Sequence, residues 1–236
     1  MDKPTLSSYI RDNLKETGQD KEPGPFVTLS QQFGCDGYEI ADLLAEKLNQ
    51  MLSDEHHWKV YKREIIKRVA EESGISEEVI DRERQIKPNF VRELCRSIRN
   101  NKLPDSLEIL KAITTMVRII AFDGYAIIVG HGGTAATAEI DNGLNVRIEA
   151  PRDWRLKRLC RRDGLTFQEA EKLIKETETG RKHLDKIYQK WNPRTPAFSL
   201  MLDNSAFTNE EIVQHILLAL KHRNLIKEKT KDTTAD

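Results

Sequence analysis

The residues best suited to chemistry sit in one stretch, Phe26-Val27-Thr28-Leu29-Ser30-Gln31-Gln32-Phe33-Gly34-Cys35-Asp36-Gly37-Tyr38-Glu39-Ile40-Ala41. A short β-rich run leads into a glycine turn, and a helical apolar period follows to about Asn49. Strand, glycine turn and helix in that order build phosphate-binding loops. The helix N-terminus offers free N–H groups and the positive end of its dipole to an anion. The donors here are the backbone N–H groups of Gly34, Cys35, Asp36, Gly37 and Tyr38, with the Ser30 hydroxyl upstream. The pattern G-x-x-x-x-G-K-[ST] is not met. No Lys follows Gly37, no Ser or Thr follows that, and Asp36 sets a negative charge where phosphate would lie. The plainer alternative is a tight strand–helix turn that binds nothing.

A second cluster is basic: Arg152, Arg155, Lys157, Arg158, Arg161 and Arg162. Arg155, Arg158 and Arg162 fall on one helical face by the i, i+3, i+4 rule. Guanidinium forks match phosphate oxygens, so this face is a candidate phosphate clamp. The alternative is a solvated face paired with Asp163, Glu169 and Glu171. Arg155 and Arg158, as exposed charges, are expected to add little to stability. His131 stands between Gly130 and Gly132 at a strand end. It could bind phosphate when protonated, act as an acid–base group, or be a hydrogen-bonded structural residue. His56 and His57 have no metal-ligand partners at suitable spacing, and a polar loop is the better reading.

These groups need a scaffold. Apolar runs predict strands near 26–30, 58–61, 125–129, 144–149 and 198–202. Helical patterns separate them, at about 62–73, 76–84, 88–100 and 105–123. Along 105–123, Leu107, Leu110, Ile113, Val117 and Ile120 recur at spacings of three and four, giving one buried face. A last helix runs from about Asn209 to Lys221, with Thr208 as N-cap. Continuous apolar strands between helices indicate a parallel sheet covered on both faces. Residues 4–17 read as an amphipathic helix, 18–25 as a Pro/Gly-rich linker, and the end of the chain as a polar, disordered tail. The division is thus an N-terminal helix and linker at 1–25, a domain at 26–222 and a tail at 223–236.

The 236 residues carry 38 Lys plus Arg against 38 Asp plus Glu, so no global field steers the chain to nucleic acid or membrane. No apolar run approaches the roughly 18 residues of a span, and the N-terminus lacks a signal-peptide core. Cys35, Cys95 and Cys160 are far apart, which makes no disulfide framework and predicts a reducing cytoplasm.

The order of these pieces resembles the cytidylate kinase-like family, within the P-loop nucleoside monophosphate kinase group. The resemblance covers roughly residues 26–222. The family's I-S-R-E-Y-G-S-G-G-R-E-I-A is met by Leu29-Ser30-Gln31-Gln32-Phe33-Gly34-Cys35-Asp36-Gly37-Tyr38-Glu39-Ile40-Ala41. Its Y-D-R-E-I-I is met by Tyr61-Lys62-Arg63-Glu64-Ile65-Ile66, and its I-V-G-R-G by Ile128-Val129-Gly130-His131-Gly132. Its A-P-x-x-x-R-x-x-R stands intact as Ala150-Pro151-Arg152-Asp153-Trp154-Arg155-Leu156-Lys157-Arg158. A weaker D-x-x-R motif is met by Glu178-Thr179-Gly180-Arg181.

The resemblance implies an α/β, P-loop NTPase-like fold: a five-stranded parallel sheet of order 2-3-1-4-5, with helices on both faces and a helical insertion at about 76–123. It implies nucleotide sites at the carboxyl ends of the strands, a monophosphate-binding insertion, and a basic lid at about 152–190. It further implies a phosphotransferase moving the γ-phosphate of ATP, with Mg²⁺, to a nucleoside monophosphate or similar small acceptor. Arg155, Arg158 and Arg181 would neutralise the transferring group. Residues 34–38 would hold donor phosphates, and Lys62, Arg63, Gly130 and His131 would lie on the acceptor side. Departures fall at the chemistry: Tyr38 replaces the loop's Arg, Asp36 a Gly, Lys62 an Asp and His131 an Arg. The Lys62 ammonium could partly replace the missing loop cation; the plainer alternative is an exposed surface Lys. The alternatives are a catalytically inactive nucleotide- or anion-binding protein on the same fold, and an oligomeric scaffold using 88–123 as its interface. The expected partner is a nucleotide or other phosphorylated small molecule, with a homo-oligomer possible.

Overall fold

The computed structural model describes residues 22–52, 56–62, 65, 67, 106–191 and 198–227. The helices expected at 4–17, 76–84 and 88–100, most of that at 62–73, Arg63, and residues 228–236 of the tail expected at 223–236 lie outside the described residues. Leu225 and Ile226, placed in that tail, are instead buried in the core because their apolar side chains pack on it.

Five strands form one sheet in the order β2-β3-β1-β4-β5, every neighbouring pair parallel. They are β1 (Phe26–Gln31), β2 (Lys59–Tyr61), β3 (Ala126–Val129), β4 (Gly143–Glu149) and β5 (Leu200–Asp203). In β1, Phe26 pairs with Ala126 on one side and Gly143 on the other. β3 is buried along its whole length, as an inner strand covered on both faces must be. The expected strand at 125–129 begins one residue later, because Tyr125 sits in the left-handed region at φ +48°. The order and direction match the expectation that the resemblance carried.

Side-chain alternation divides the core between the two faces of the sheet. Val27, Leu29, Val146 and Ile148 pack against α1 (Gly37–Met51) and α6 (Asn209–His222). Phe26 and Ile128 pack against α2 (Ser106–Asp123). The stripe expected on α2 is buried at Leu110, Ile113, Val117 and Ile120, joined by Met116. Its apolar face therefore belongs to this chain's own core, which leaves that part of 88–123 unsuited to the scaffold alternative. The short α3 (Gly133–Ala136) follows β3. Helices α4 (Arg152–Asp163) and α5 (Phe167–Trp191) carry the basic segment and hold a smaller core of Leu156, Leu159, Ala170 and Ile174.

The helices α1 and α6, on one face of the sheet, start by different means. Thr208 caps α6 in a reciprocal box: its Oγ accepts from the Glu211 amide at 3.3 Å, while its own amide donates to Glu211 Oε2 at 2.8 Å. Asp36 is the N-cap of α1, yet its side chain accepts no capping hydrogen bond. A lost cap costs about 1 kcal/mol. Burying Ile40, Leu44 and Leu48 gives back about 1.5–3 kcal/mol each. Packing thus sets α1, and the Asp36 carboxylate is free to turn elsewhere. Among the described residues no helix is long and apolar enough to cross a membrane.

Candidate functional site

β1 delivers the chain at its carboxyl end into residues 32–36, and α1 takes it away. Gly34 turns this loop at φ +95°, and a Cβ there would lie 3.0 Å from Arg155 Cβ. Only glycine takes both the left-handed backbone and that approach at little cost.

Three of the five N–H groups expected to face an anion are engaged inside the chain. The Cys35 amide donates to Gln32 O at 3.2 Å. The Asp36 amide donates to Asn204 Oδ1 at 2.9 Å, from the end of β5. The Gly37 amide donates to Gln31 Oε1 at 2.6 Å. Gln31 thereby does the capping that Asp36 does not. Gly37 must be glycine for this, since a Cβ would fall 2.5 Å from Gln31 Oε1.

The Asp36 carboxylate is buried, its residue 3% exposed, and it meets Arg158 side-on. Arg158 Nε donates to Oδ1 at 2.8 Å, Arg158 Nη2 pairs with Oδ2, and Asn209 Nδ2 reaches Oδ2 at 3.4 Å. The Arg158 guanidinium also lies 5.3 Å from the Trp154 ring centre. Arg155 is buried at 4% exposure. Its Nε donates to Ala150 O at 3.0 Å, and its Nη1 donates to Phe33 O at 3.0 Å and to Glu178 Oε1. Arg181 Nη1 donates to Gln31 O. Three arginines from α4 and α5 therefore land on the last residue of β1 and on residues 33 and 36 of the loop that follows it.

This corrects the expectation of exposed charges. Arg155 is a core residue, and the Arg158 side chain keeps only 33% of its surface. Two of the three pairings expected for a solvated face are present: Arg152 holds Glu171 at 2.7 Å and Arg162 holds its neighbour Asp163 at 2.7 Å. Glu169 instead accepts from Thr166.

The remaining sequence candidates are spread around this centre. Ser30 Oγ accepts from Arg147 Nη1 at 2.8 Å, and Arg147 Nε donates to Glu149 at 3.0 Å. Lys62 pairs with Asp42 at 2.6 Å and sits 5.5 Å from the ring centre of half-exposed Tyr38, so it borders the loop's far end. Gly130, His131 and Gly132 form a left-handed run after β3, at φ +75°, +55° and +67°. The Gly130 amide donates to Leu29 O at 2.9 Å, which ties that turn to β1. Burial pushes the Cys35 thiol up to about 11 against the pull of Arg155, so it is no nucleophile at neutral pH. Among the described residues no group of three His, Cys, Asp or Glu side chains could hold a metal ion, His56 and His57 included.

Sequence reading did not single out Gln31, Asn204, Asn209 or Arg147 as functional. One signal was available for three of them: Gln31, Arg147 and Asn204 are polar residues at or beside the carboxyl ends of parallel strands, where such folds gather their sites.

One solved structure supports the same fold. An uncharacterized protein from Eubacterium ventriosum ATCC 27560 matches with a TM-score of 0.58 at 16% identity, covering 84% of this chain and 98% of that one. Shikimate kinase from Bacteroides thetaiotaomicron aligns with a TM-score of 0.44 at 13% identity, over 84% of this chain and 98% of its own. Comparison with curated proteins returns no match. The model of the cytidylate kinase-like family matches residues 26–206, taking in the sheet, the loop and the basic helices. The chain belongs to the cytidylate kinase-like family.

Proposed function

We propose that the chain is a phosphotransferase of nucleoside monophosphate kinase type. It would move the γ-phosphate of ATP to a nucleoside monophosphate or a similar small phosphorylated acceptor. The observation that carries this reading is the convergence of Arg155, Arg158 and Arg181 on the loop between β1 and α1. Phosphoryl transfer asks a protein for positioning and charge neutralisation, and guanidinium groups supply both. Arg158 is the member suited to meet phosphate, being partly exposed and already holding an anion. Arg155, buried on three acceptors, would position the loop. The acceptor side would comprise Lys62, Gly130 and His131, with Arg63 nearby in sequence. An acceptor phosphate is already ionised, so no general base is required.

The residues present do not fit a bound triphosphate as they stand, because Gln31 and Asn204 occupy loop amides. Nor do the described residues offer a ready Mg²⁺ cage. An ion of that kind is commonly held by substrate phosphates, waters and one or two carboxylates.

The absent loop lysine and the engaged amides favour a second reading, an inactive nucleotide- or anion-binding protein on the same fold. A coupled assay of MgATP consumption over a panel of nucleoside monophosphates, with thermal-shift measurement alongside, separates them. The first reading expects turnover with at least one acceptor. The second expects a thermal shift with MgATP and no turnover.

A further inference from the structure

Gln31 and Asp36 stand where an anion at this loop would be received. The Gly37 amide is the first of α1, the donor that a helix N-terminus turns toward an anion. It is taken by Gln31 Oε1 at 2.6 Å. The Asp36 carboxylate lies one residue earlier and is gripped by Arg158 in the fork geometry that guanidinium offers equally to carboxylate and phosphate. The Gly37 amide and the Arg158 guanidinium, two parts of the expected phosphate grip, are thus filled by acceptors from residues 31 and 36. The loop is also fastened from outside. Arg181 holds the Gln31 carbonyl, and Arg155 holds the Phe33 carbonyl while bound to Glu178 on α5.

We infer that this is a self-inhibited state, in which Gln31 and Asp36 act as internal stand-ins for phosphate oxygens and the loop takes a triphosphate only by moving both. The inference rests on the proposed reading of the loop as the donor site. Gly37 is part of the device, since its missing Cβ admits the Gln31 amide. Asp36 contributes twice: its charge repels phosphate, and its carboxylate occupies Arg158. An incoming triphosphate would exchange with the carboxylate on Arg158 and with the amide oxygen on Gly37, so no charged donor need be left without a partner at any stage.

Two measurements test this. The first needs no ligand: amide hydrogen exchange at Gly37, followed by NMR in wild type and Gln31→Ala. The account expects exchange to rise roughly tenfold or more when the acceptor is removed. Unchanged protection overturns it. The second is calorimetric titration of MgATP into wild type, Gln31→Ala, Asp36→Asn and Gln31→Glu. Gln31→Ala and Asp36→Asn should bind about tenfold tighter than wild type, as a competing acceptor or charge is lost. Gln31→Glu, which keeps the acceptor and adds charge, should bind no better than wild type. Equal or weaker binding by both Gln31→Ala and Asp36→Asn overturns the self-inhibited state while leaving the loop as donor site. Absence of MgATP binding in every form, with Gly37 exchange accelerated in Gln31→Ala, instead overturns the donor-site reading, and the inference with it.

Discussion

Arg158 and Asp36 hold each other through two contacts, Nε to Oδ1 at 2.8 Å and Nη2 to Oδ2, joining α4 to the N-cap residue of α1. The sequence separates them by 122 positions. Their union turns two apparent oddities, an acid in a glycine turn ahead of a helix and a basic helix, into one feature. The acid neutralises the arginine, and the arginine lets the acid be buried.

Breaking that pair from either side should be costly. Arg158→Ala leaves the Asp36 carboxylate buried with Asn209 as its remaining side-chain donor. Loss of one partner of a buried pair costs about 3–5 kcal/mol, and the partial exposure of Arg158 lowers the expectation to about 2–3 kcal/mol. Asp36→Asn should cost less, and the double variant should fall short of the sum. Urea denaturation of the four forms gives the coupling energy directly. A coupling near zero would mean the pair adds nothing to the fold.

Arg155 should matter more to folding than to binding. Arg155→Ala strips a donor from Phe33 O, Ala150 O and Glu178 at once. A loss of about 3–5 kcal/mol is expected. Arg155→Lys should recover only part, because an ammonium cannot reproduce the planar fork. Full stability in Arg155→Lys, read by urea denaturation, would show that the fork geometry is dispensable.

Cys35 gives an alkaline signature. Its thiol is raised to about 11 in the fold, from an ordinary value of 9.0, chiefly by burial. Between these values the unfolded chain loses the proton while the folded chain keeps it. The unfolded state then binds fewer protons, so stability falls as pH rises from about 9 to about 11. Cys35→Ala should flatten that fall. At pH 7.5, iodoacetamide should label the less buried Cys160 before Cys35, as peptide mapping by mass spectrometry would reveal. Faster labelling of Cys35 would contradict its burial as a neutral thiol.

Much of the fold was legible because parallel strands write themselves as continuous apolar runs. Ala126 to Val129 is such a run, while Val27 to Leu29 and Leu144 to Ile148 set Thr28, Asn145 and Arg147 between apolar residues; each lies in a strand. Thr208 was readable as an N-cap because capping is local; its reciprocal partner Glu211 came from the structure. The loop's state was not legible. It depends on which atom the Gln31 side chain meets and on Asn204 arriving from β5, and both are tertiary facts. Arg155 and Arg158 share a helical face in sequence, but periodicity cannot tell a solvated arginine from one buried on three carbonyl and carboxylate oxygens. The family motif located these residues; only the packing of α4 and α5 onto residues 31–36 determined what they touch.

The most direct test of the account is the steady-state kcat of wild type and Arg158→Ala. It should be measured at saturating MgATP with the best acceptor from the nucleoside monophosphate panel, on protein that circular dichroism shows to be folded. A phosphotransferase whose transferring group is neutralised by Arg158 should be active as wild type. It should lose roughly 100-fold or more in kcat on the substitution, the usual cost of removing one transition-state donor. An active wild type whose kcat survives Arg158→Ala would contradict the account and leave Arg158 a structural partner of Asp36.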